Sequence, residues 1–495
     1  MRTRAPRRAQ QAKRFNPDFG TATEALSALR RGTLSSRELV QHVFARIRKH
    51  NAGINAFVTL AEQQALEQAR KADRIRSRTG RTGRLHGLPV MVKDALATAG
   101  IRTTCGAKEL ETYVPREDAT AVARLKQAGA IIIGKTNTPT WAADHQTYND
   151  VAGVTSNPWD LTRTPGGSTG GGGAALAAGF GFLETGSDIA GSIRVPSHFC
   201  GVYGHKPSIY LVPREGHIPP PPGVLSHGEL NVVGPLARSA EDLQLELDVI
   251  SQPSASAAFQ LALPKPRKSR LRDYKLGVML DDAFCPVDAP VKEVLVNAVA
   301  LLRKAGMQAI EGWPEGFDRE GSHASYLFLL AAVVAAGETE STLAPVREAA
   351  ARGVRDPFVL GATATHRDWA LQREARLRAR ALWQKYFETF DAFLMPVNFV
   401  AAFPHDPRTE SWLKDDRKLV TAAGTRAYTD QFKWISIATL TGCPATSAPV
   451  GLTRDGLPVG LQIMGPYLED ATPIDIAAKL AQVCGGFAPP PALVD

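Results

Sequence analysis

The sequence predicts an α/β fold, in which helices pack against a β-sheet. Short apolar runs suited to buried strands alternate with segments of helical periodicity. We expect a strand at 88–93, a helix at 119–128 that ends at Gly129, and a strand at 130–134. Because strands and helices alternate along the chain instead of forming separate blocks, a layered α/β architecture is favoured.

The first ordered elements are predicted to be helices. Thr21 with Glu24, and Ser35 with Glu38, each have the spacing of a capping box, which marks a helix N-terminus. The second of these helices carries an apolar stripe that fits a helix lying on a core, formed by Leu39, Val43, Phe44 and Ile47. A further helix is expected over 57–76.

The later elements include a proline-rich connection and a long helical region. The tetraproline within residues 211–232 predicts an extended, stiff loop. The pattern from about 289 to 390 is mainly helical, with one long helix expected over 366–390. The C-terminal part predicts two strands and a final helix, at 448–452, 459–464 and 472–484.

Composition and charge exclude several classes of protein. No apolar stretch reaches the roughly 18 residues of a transmembrane helix, and the N-terminus lacks the apolar core of a signal peptide, so no membrane association is predicted. The net charge is +9, but six of those positive charges lie in residues 1–14. We therefore interpret residues 1–20 as a basic, flexible arm. No basic motif typical of a nucleic-acid module is present, and no specific nucleic-acid partner is expected.

The cysteines favour a reducing compartment. There are five, an odd number, and they are scattered without the spacing of a metal site. Reduced thiols in a cytoplasmic protein are the simpler interpretation, and neither a metal nor a cofactor is expected.

One lysine and two glycine-framed serines indicate chemistry. Lys93 ends an apolar run, while Ser168 and Ser192 lie in glycine-rich segments. A serine becomes a nucleophile only if a base takes its proton, and a lysine can be that base when burial lowers its pKa. Glycines allow sharp turns that expose amide hydrogens to a substrate. These are the components of acyl transfer, although on composition alone Ser187 competes with Ser192.

Three other motif-like patterns are weaker. Residues 129–136 fit the P-loop pattern, but their apolar β-branched residues suit a buried strand better than a phosphate-binding loop. Residues 166–170 fit the nucleophile elbow, but residues 161–165 make a poor strand before it. The histidines lack the spacing of a metal site, so we interpret them as hydrogen-bonded structural residues: His145, His198, His205 and His217.

The chain resembles the amidase signature family of serine hydrolases. The similarity follows family order through residues 87–89, 134–139, 157–160, 165–173, 186–196, 199–207, 233–239, 441–445 and 456–462. It implies one large α/β/α domain around a mixed central sheet over residues 21–495. The helical insert at about 289–390 would be a substrate cap. After Ser208 the family commonly has an aromatic residue and a glycine, whereas this chain has Ile209 and Tyr210, so we expect the 209–230 loop to follow a different path and to affect specificity.

The resemblance also assigns roles to residues. It implies Ser192 as nucleophile, Ser168 as a bridging serine after a cis peptide at Gly167, and Lys93 as base. The oxyanion hole would be formed by four backbone amides, those of Ile189, Ala190, Gly191 and Ser192. Many members have glycine at the position of Ala190. The methyl group of the alanine is expected only to make the pocket slightly smaller. Asp188 and Arg194 are interpreted as an ion pair that braces the nucleophile loop.

The predicted activity is hydrolysis of carboxylic amides through an acyl-enzyme, without a cofactor. Ester cleavage follows from the same chemistry, and carbamate (urethane) hydrolysis is an alternative on the same triad. A second alternative is the amidase subunit of a tRNA-dependent amidotransferase, from which residues 144–149 depart. A non-catalytic binding protein is disfavoured because all three triad residues are present. The partner is expected to be a small-molecule substrate, with a homodimer as the typical family assembly.

Overall fold

A computed structural model describes residues 15–80, 82–226, 228–251, 261–407 and 416–494. The basic run at 1–14 lies outside the described residues. Phe15 and Phe19, near the end of the predicted arm, contact the folded chain. The ring of Phe15 stacks on Phe182 at 6.1 Å, and the guanidinium of Arg46 lies over Phe19.

A mixed β-sheet of eleven strands organises the described part of the chain. The spatial order of its strands is β1-β3-β2-β4-β6-β5-β12-β13-β9-β7-β8. A separate hairpin pairs β10 with β11. The bounds are β1 Phe57–Leu60, β2 Pro89–Lys93, β3 Ile131–Thr136, β4 Leu183–Asp188, β5 Tyr203–Lys206, β6 Val232–Ala237, β7 Lys275–Val278, β8 Gln308–Glu311, β9 Ala392–Pro396, β10 Lys418–Thr421, β11 Gly424–Ala427, β12 Ala445–Leu452 and β13 Pro458–Met464.

Helices flank this sheet, as the α/β prediction requires. Their bounds are α1 Ala22–Arg31, α2 Ser36–Ile54, α3 Glu62–Thr79, α4 Thr120–Gln127, α5 Gly170–Ala177, α6 Arg194–Cys200, α7 Ala240–Ile250, α8 Ala289–Lys304, α9 Arg319–Ala335, α10 Glu340–Ala351, α11 Pro357–Ala362, α12 His366–Tyr386, α13 Phe432–Thr441 and α14 Ala471–Cys484. Both predicted capping boxes are present, at the starts of α1 and α2. The apolar stripe of α2 is buried, as predicted.

The predicted helix over 57–76 is wrong at its beginning. Residues Phe57–Leu60 form the edge strand β1, and the helix starts only at Glu62. An aromatic residue, a valine and a threonine favour an extended chain, and β3 offers an antiparallel partner in which Phe57 lies opposite Thr136. Tertiary pairing therefore overrides the helical periodicity.

Most of the buried apolar side chains form one core that draws on residues from Ala22 to Leu493, and Ala95, Cys105 and Ile218 form a small second cluster. The region predicted to be helical at 289–390 contains α8 to α12 together with the short strand β8. Across the described residues, no helix is both long and apolar enough to cross a membrane.

The loop after β5 differs from the sequence-based expectation in its backbone. Tyr210 adopts φ +70°, the left-handed region that glycine favours, so tyrosine at this position does not prevent a glycine-like backbone. Its side chain is 58% exposed and therefore meets no packing conflict. Further along, the peptides Ile218–Pro219 and Pro219–Pro220 are both cis, so the tetraproline is not the uniform extended run that we predicted.

Candidate active site

Lys93 ends a central strand of the sheet and is completely buried. Strand β2, which carries it, lies between β3 and β4 and runs parallel to both. Burial lowers the pKa of Lys93 to about 8, against the opposing effects of Cys105, Asp188 and Glu184. A lysine in this environment is partly neutral near physiological pH, which is the form that can accept a proton.

Ser168 lies directly beside this lysine. Its Oγ is 2.7 Å from Lys93 Nζ, and both side chains are buried. The peptide Gly167–Ser168 is cis, as the family resemblance implied. A Cβ atom at Gly167 would lie 2.4 Å from the carbonyl oxygen of Asp144, so only glycine fits where these two backbone segments approach each other.

Ser187, which on composition alone competes with Ser192 as nucleophile, is a second hydroxyl beside the lysine. Its Oγ lies 3.1 Å from Lys93 Nζ. No local sequence pattern indicates this contact, because it depends on β2 and β4 being adjacent parallel strands with Val92 opposite Thr185. That register brings Ser187, two residues further along β4, close to the end of β2.

Ser192 follows a tight turn at the end of β4. The amide of Thr169, next to Ser168, donates to the carbonyl of Ser192 at 3.1 Å, so the two serine segments are joined through their backbones. The Ser192 hydroxyl makes no hydrogen bond with Ser168 or with any other described residue. Ile189 and Ala190 are partly exposed while their neighbours are buried, so the turn meets solvent at these two residues.

The four amides of this turn do not have equal hydrogen bonding. The amide of Gly191 donates to Asp188 Oδ1 at 2.8 Å. Among the described residues, we find no acceptor for the amides of Ile189, Ala190 and Ser192. These three N–H groups are therefore available to an oxygen atom placed in the turn, whereas that of Gly191 is already engaged.

The ion pair predicted between Asp188 and Arg194 is present and fully buried. Arg194 donates to both carboxylate oxygens, from Nε at 3.0 Å and from Nη2 at 2.9 Å. It also donates to groups on α13 and β13, namely Ile435 O, Thr439 Oγ1 and Gln462 Oε1. Burial by itself would raise the pKa of Asp188, but Arg194 overcomes this and the pKa falls to about 2. The turn is therefore attached to two other elements of the fold.

The four histidines considered above are all hydrogen-bonded, as predicted. His198 bonds to Val400 O and accepts from the Gly460 amide, and His205 lies between Thr446 and Asp470. His217 lies against Pro219 O, and His145 against Ala190 O. In the part of the chain that the structure describes, no group of three or more potential ligands from His, Cys, Asp and Glu is arranged to hold a metal ion.

Comparison with known proteins identifies the family of the chain. A family model described as Amidase matches residues 38–473. A glutamyl-tRNA(Gln) amidotransferase subunit from Thermus thermophilus is 34% identical, with 91% of this chain and 94% of that protein covered. Its counterpart from Alkaliphilus metalliredigens is 33% identical at the same coverage. A solved structure described as an amidase superposes with a TM-score of 0.76 at 27% identity, covering 93% of this chain and 99% of its own.

The family match spans far more than half of the chain, and it includes the lysine and both serine segments. The chain therefore belongs to the Amidase family and is a hydrolase of amide C–N bonds.

Proposed function

We propose that amide cleavage proceeds through an acyl-enzyme on Ser192, with Ser168 as proton relay and Lys93 as base. The observation that carries this proposal is the 2.7 Å contact between Lys93 Nζ and Ser168 Oγ, both of which belong to buried side chains. A hydroxyl donates and accepts at once, so Ser168 can pass a proton between its two neighbours. Ser187 also contacts the lysine, but it is on the strand and its carbonyl accepts from Thr169 Oγ1 at 3.4 Å.

The reaction has two halves that use the same groups. Ser192 Oγ attacks the carbonyl carbon while its proton moves to Ser168, whose own proton moves to Lys93. The proton then returns to the amine nitrogen, the C–N bond breaks, and the acyl group stays on Ser192. Protonating the nitrogen is essential because an amine anion is a poor leaving group. Water, activated by the same base, then releases the acid.

The developing negative charge would meet the unpaired amides of Ile189, Ala190 and Ser192. Amide donors fixed before the reaction stabilise an oxyanion without reorganising, which is worth a factor of about a hundred or more per donor. Asp188 and Arg194 support this turn and take no part in bond making.

Substrate range follows from the same chemistry. Esters have an easier leaving group than amides, and an aryl carbamate offers a carbonyl open to the same attack, so urethane cleavage is included in the proposal. We propose a small molecule as the substrate and the helical region 289–390 as its cap. The contact of Tyr326, on α9, with the carbonyl of Ile189 supports this placement of the cap.

Hydrolysis of an anilide, a primary amide, an ester and an aryl carbamate tests the proposal, with Ser192→Ala as the paired control. We expect turnover of at least one amide and its loss by a factor of about a thousand or more in the variant. Retention of half the activity by Ser192→Ala would refute the assignment. Turnover of the carbamate alone would keep the triad and change the substrate class.

The sequence relatives favour one alternative, a component of a tRNA-dependent amidotransferase. Two curated relatives with that description cover more than nine-tenths of the chain. In this case partner proteins would copurify with the chain, and glutaminase activity would depend on them. Activity of the purified chain alone on the four-compound panel would exclude a strict dependence on partners.

Location and assembly complete the proposal. All five cysteines lie in the described residues and are free thiols, four of them buried, which supports a cytoplasmic location. We also propose a homodimer, because members of the family often form dimers.

A further inference from the structure

Two side chains from distant parts of the chain hold the backbone of the turn before Ser192. His145, in the segment between β3 and α5, places Nε2 2.5 Å from the carbonyl oxygen of Ala190. Tyr326, on α9, donates its hydroxyl to the carbonyl oxygen of Ile189 at 3.4 Å. Both side chains are buried, and His145 also packs edge-on against Phe432 with ring centroids 5.0 Å apart. Two successive carbonyls of the turn are thus held by side chains of two different elements.

A side chain that holds a backbone carbonyl also sets the direction of the amide in the same peptide unit. A trans peptide unit is planar, and its C=O and N–H point in opposite directions. The unit that contains Ile189 O also contains the amide of Ala190, so Tyr326 turns that N–H away from itself. The next unit is held at both ends, because His145 binds Ala190 O and the amide of Gly191 donates to Asp188.

The protonation states suit this arrangement. A carbonyl oxygen only accepts, so His145 carries a proton on Nε2. Burial lowers the pKa of His145 and keeps the imidazole neutral, while burial raises the pKa of Tyr326 and keeps its phenol a donor. Two neutral, buried donors therefore act on the turn, and neither contributes charge to the reaction.

We propose that Tyr326 and His145 are positioning residues: Tyr326 aims the Ala190 amide at the acyl oxygen of the substrate, and His145 fixes the peptide unit that follows, so that the Ala190 amide keeps this direction. This inference rests on the proposed function of the turn as an oxyanion hole. An amide that is fixed in advance toward the position of the oxyanion binds the transition state more strongly than the ground state, so it contributes to kcat and not to substrate binding. If the Ala190 amide no longer points at the acyl oxygen, kcat should therefore fall while KM stays nearly constant.

Tyr326→Phe removes one oxygen atom and is the first test. We expect kcat to fall about tenfold, less than the hundredfold or more for deleting an oxyanion donor, with KM within about twofold of the wild type. Tyr274→Phe is the control, since Tyr274 is also buried and its hydroxyl bonds to groups remote from the turn, Asp475 Oδ2 at 2.6 Å and Lys268 O at 3.0 Å. We expect this control to have wild-type kcat.

Phenylboronic acid separates positioning from a merely structural role. Ser192 Oγ forms a bond to boron, its proton moves to the base, and nothing leaves, so the negative boronate places an oxygen where the oxyanion forms. We expect the inhibition constant to rise by about the same factor as kcat falls, because both depend on transition-state-like charge. Unchanged boronate affinity together with a lower kcat would overturn the proposal.

His145 is tested by a pair of variants. His145→Phe removes the donor, and His145→Gln restores an N–H at a similar distance from the backbone, so glutamine should recover most of the kcat that phenylalanine loses. If both variants lose the same kcat, or if Tyr326→Phe has wild-type kcat, the positioning role is wrong. Ser192→Ala run beside them distinguishes this outcome from failure of the proposed function, which would instead appear as activity that does not need Ser192.

Discussion

Replacing Arg194 by methionine tests whether the buried ion pair stabilises the nucleophile turn. Arg194 is completely buried and donates five side-chain hydrogen bonds, two of them to Asp188. Methionine has a comparable apolar stem but no donor. The variant therefore leaves a buried carboxylate without its cation and three further acceptors without this donor.

The expected cost can be worked from the site in two parts. The pKa of Asp188 is about 2 compared with an ordinary 3.8, which corresponds to about 2 kcal/mol of stabilisation of the ionised form. The acceptors left on Thr439 and Gln462 add about 1 kcal/mol or more each, whereas Ile435 O keeps the Thr439 hydroxyl as a donor at 3.1 Å. The sum agrees with the roughly 3–5 kcal/mol found when one partner of a buried pair is removed.

Urea denaturation followed by tryptophan fluorescence measures this change. The matched control is Arg454→Met, which removes an ion pair with Glu293 at 2.9 Å, the same separation as Arg194 Nη2 and Asp188 Oδ1. The exposed pair differs in solvent access, since 84% of the Arg454 side chain and 45% of the Glu293 side chain are exposed. We expect no resolvable change in its unfolding midpoint, because solvent screens exposed pairs.

Equal midpoints for the two variants would refute this reasoning, since the pair of Arg194 is buried, that of Arg454 is exposed, and Arg194 also donates to three acceptors outside its ion pair. If Arg194→Met is much less stable but has an unchanged kcat, the ion pair stabilises the fold. The same result would contradict the claim that the pair supports the turn before Ser192.

Three further predictions follow from the geometry. Because Lys93 must be neutral to accept a proton and its pKa is about 8, kcat/KM should rise with pH through about 8 and level off above it; a profile flat from pH 6 to 9 would contradict this role. Ser168→Ala should lower kcat about a thousandfold, since it breaks the relay, whereas Ser187→Ala should lower it by less than about tenfold; the reverse order, measured on the same substrate, would identify Ser187 as the relay. Gly167→Ala should reduce both activity and thermal stability, because its Cβ would lie 2.4 Å from the Asp144 carbonyl oxygen, and a melting temperature equal to that of wild type would show that the backbone yields there.

The local elements of the fold were predictable because their signals are local. The capping boxes, the stripe of α2 and the apolar runs of β2 and β3 depend on residues a few positions apart. The error at Phe57–Leu60 arose where a distant strand decided the conformation, since β1 exists through its pairing with β3. The sequence contained the β-favouring residues, but their partner lies more than seventy positions away.

Some features of the candidate site were likewise predictable from the sequence, whereas others depended on the tertiary structure. The sequence by itself determined that Lys93 and the glycine-framed serines are the candidate groups, and the resemblance to the amidase signature family favoured Ser192 over Ser187. Only the tertiary structure decided what surrounds them. The register of β4 against β2 brings Ser187 to Lys93, and the amide of Gly191 binds Asp188.

His145 and Tyr326 show the physical reason most clearly. They are about 180 positions apart, and no spacing rule connects either of them to the turn that they hold. The pKa of Lys93 depends likewise on burial by several elements at once. A sequence states which groups are available, whereas hydrogen-bond partners and desolvation depend on distances that exist only after the chain has folded.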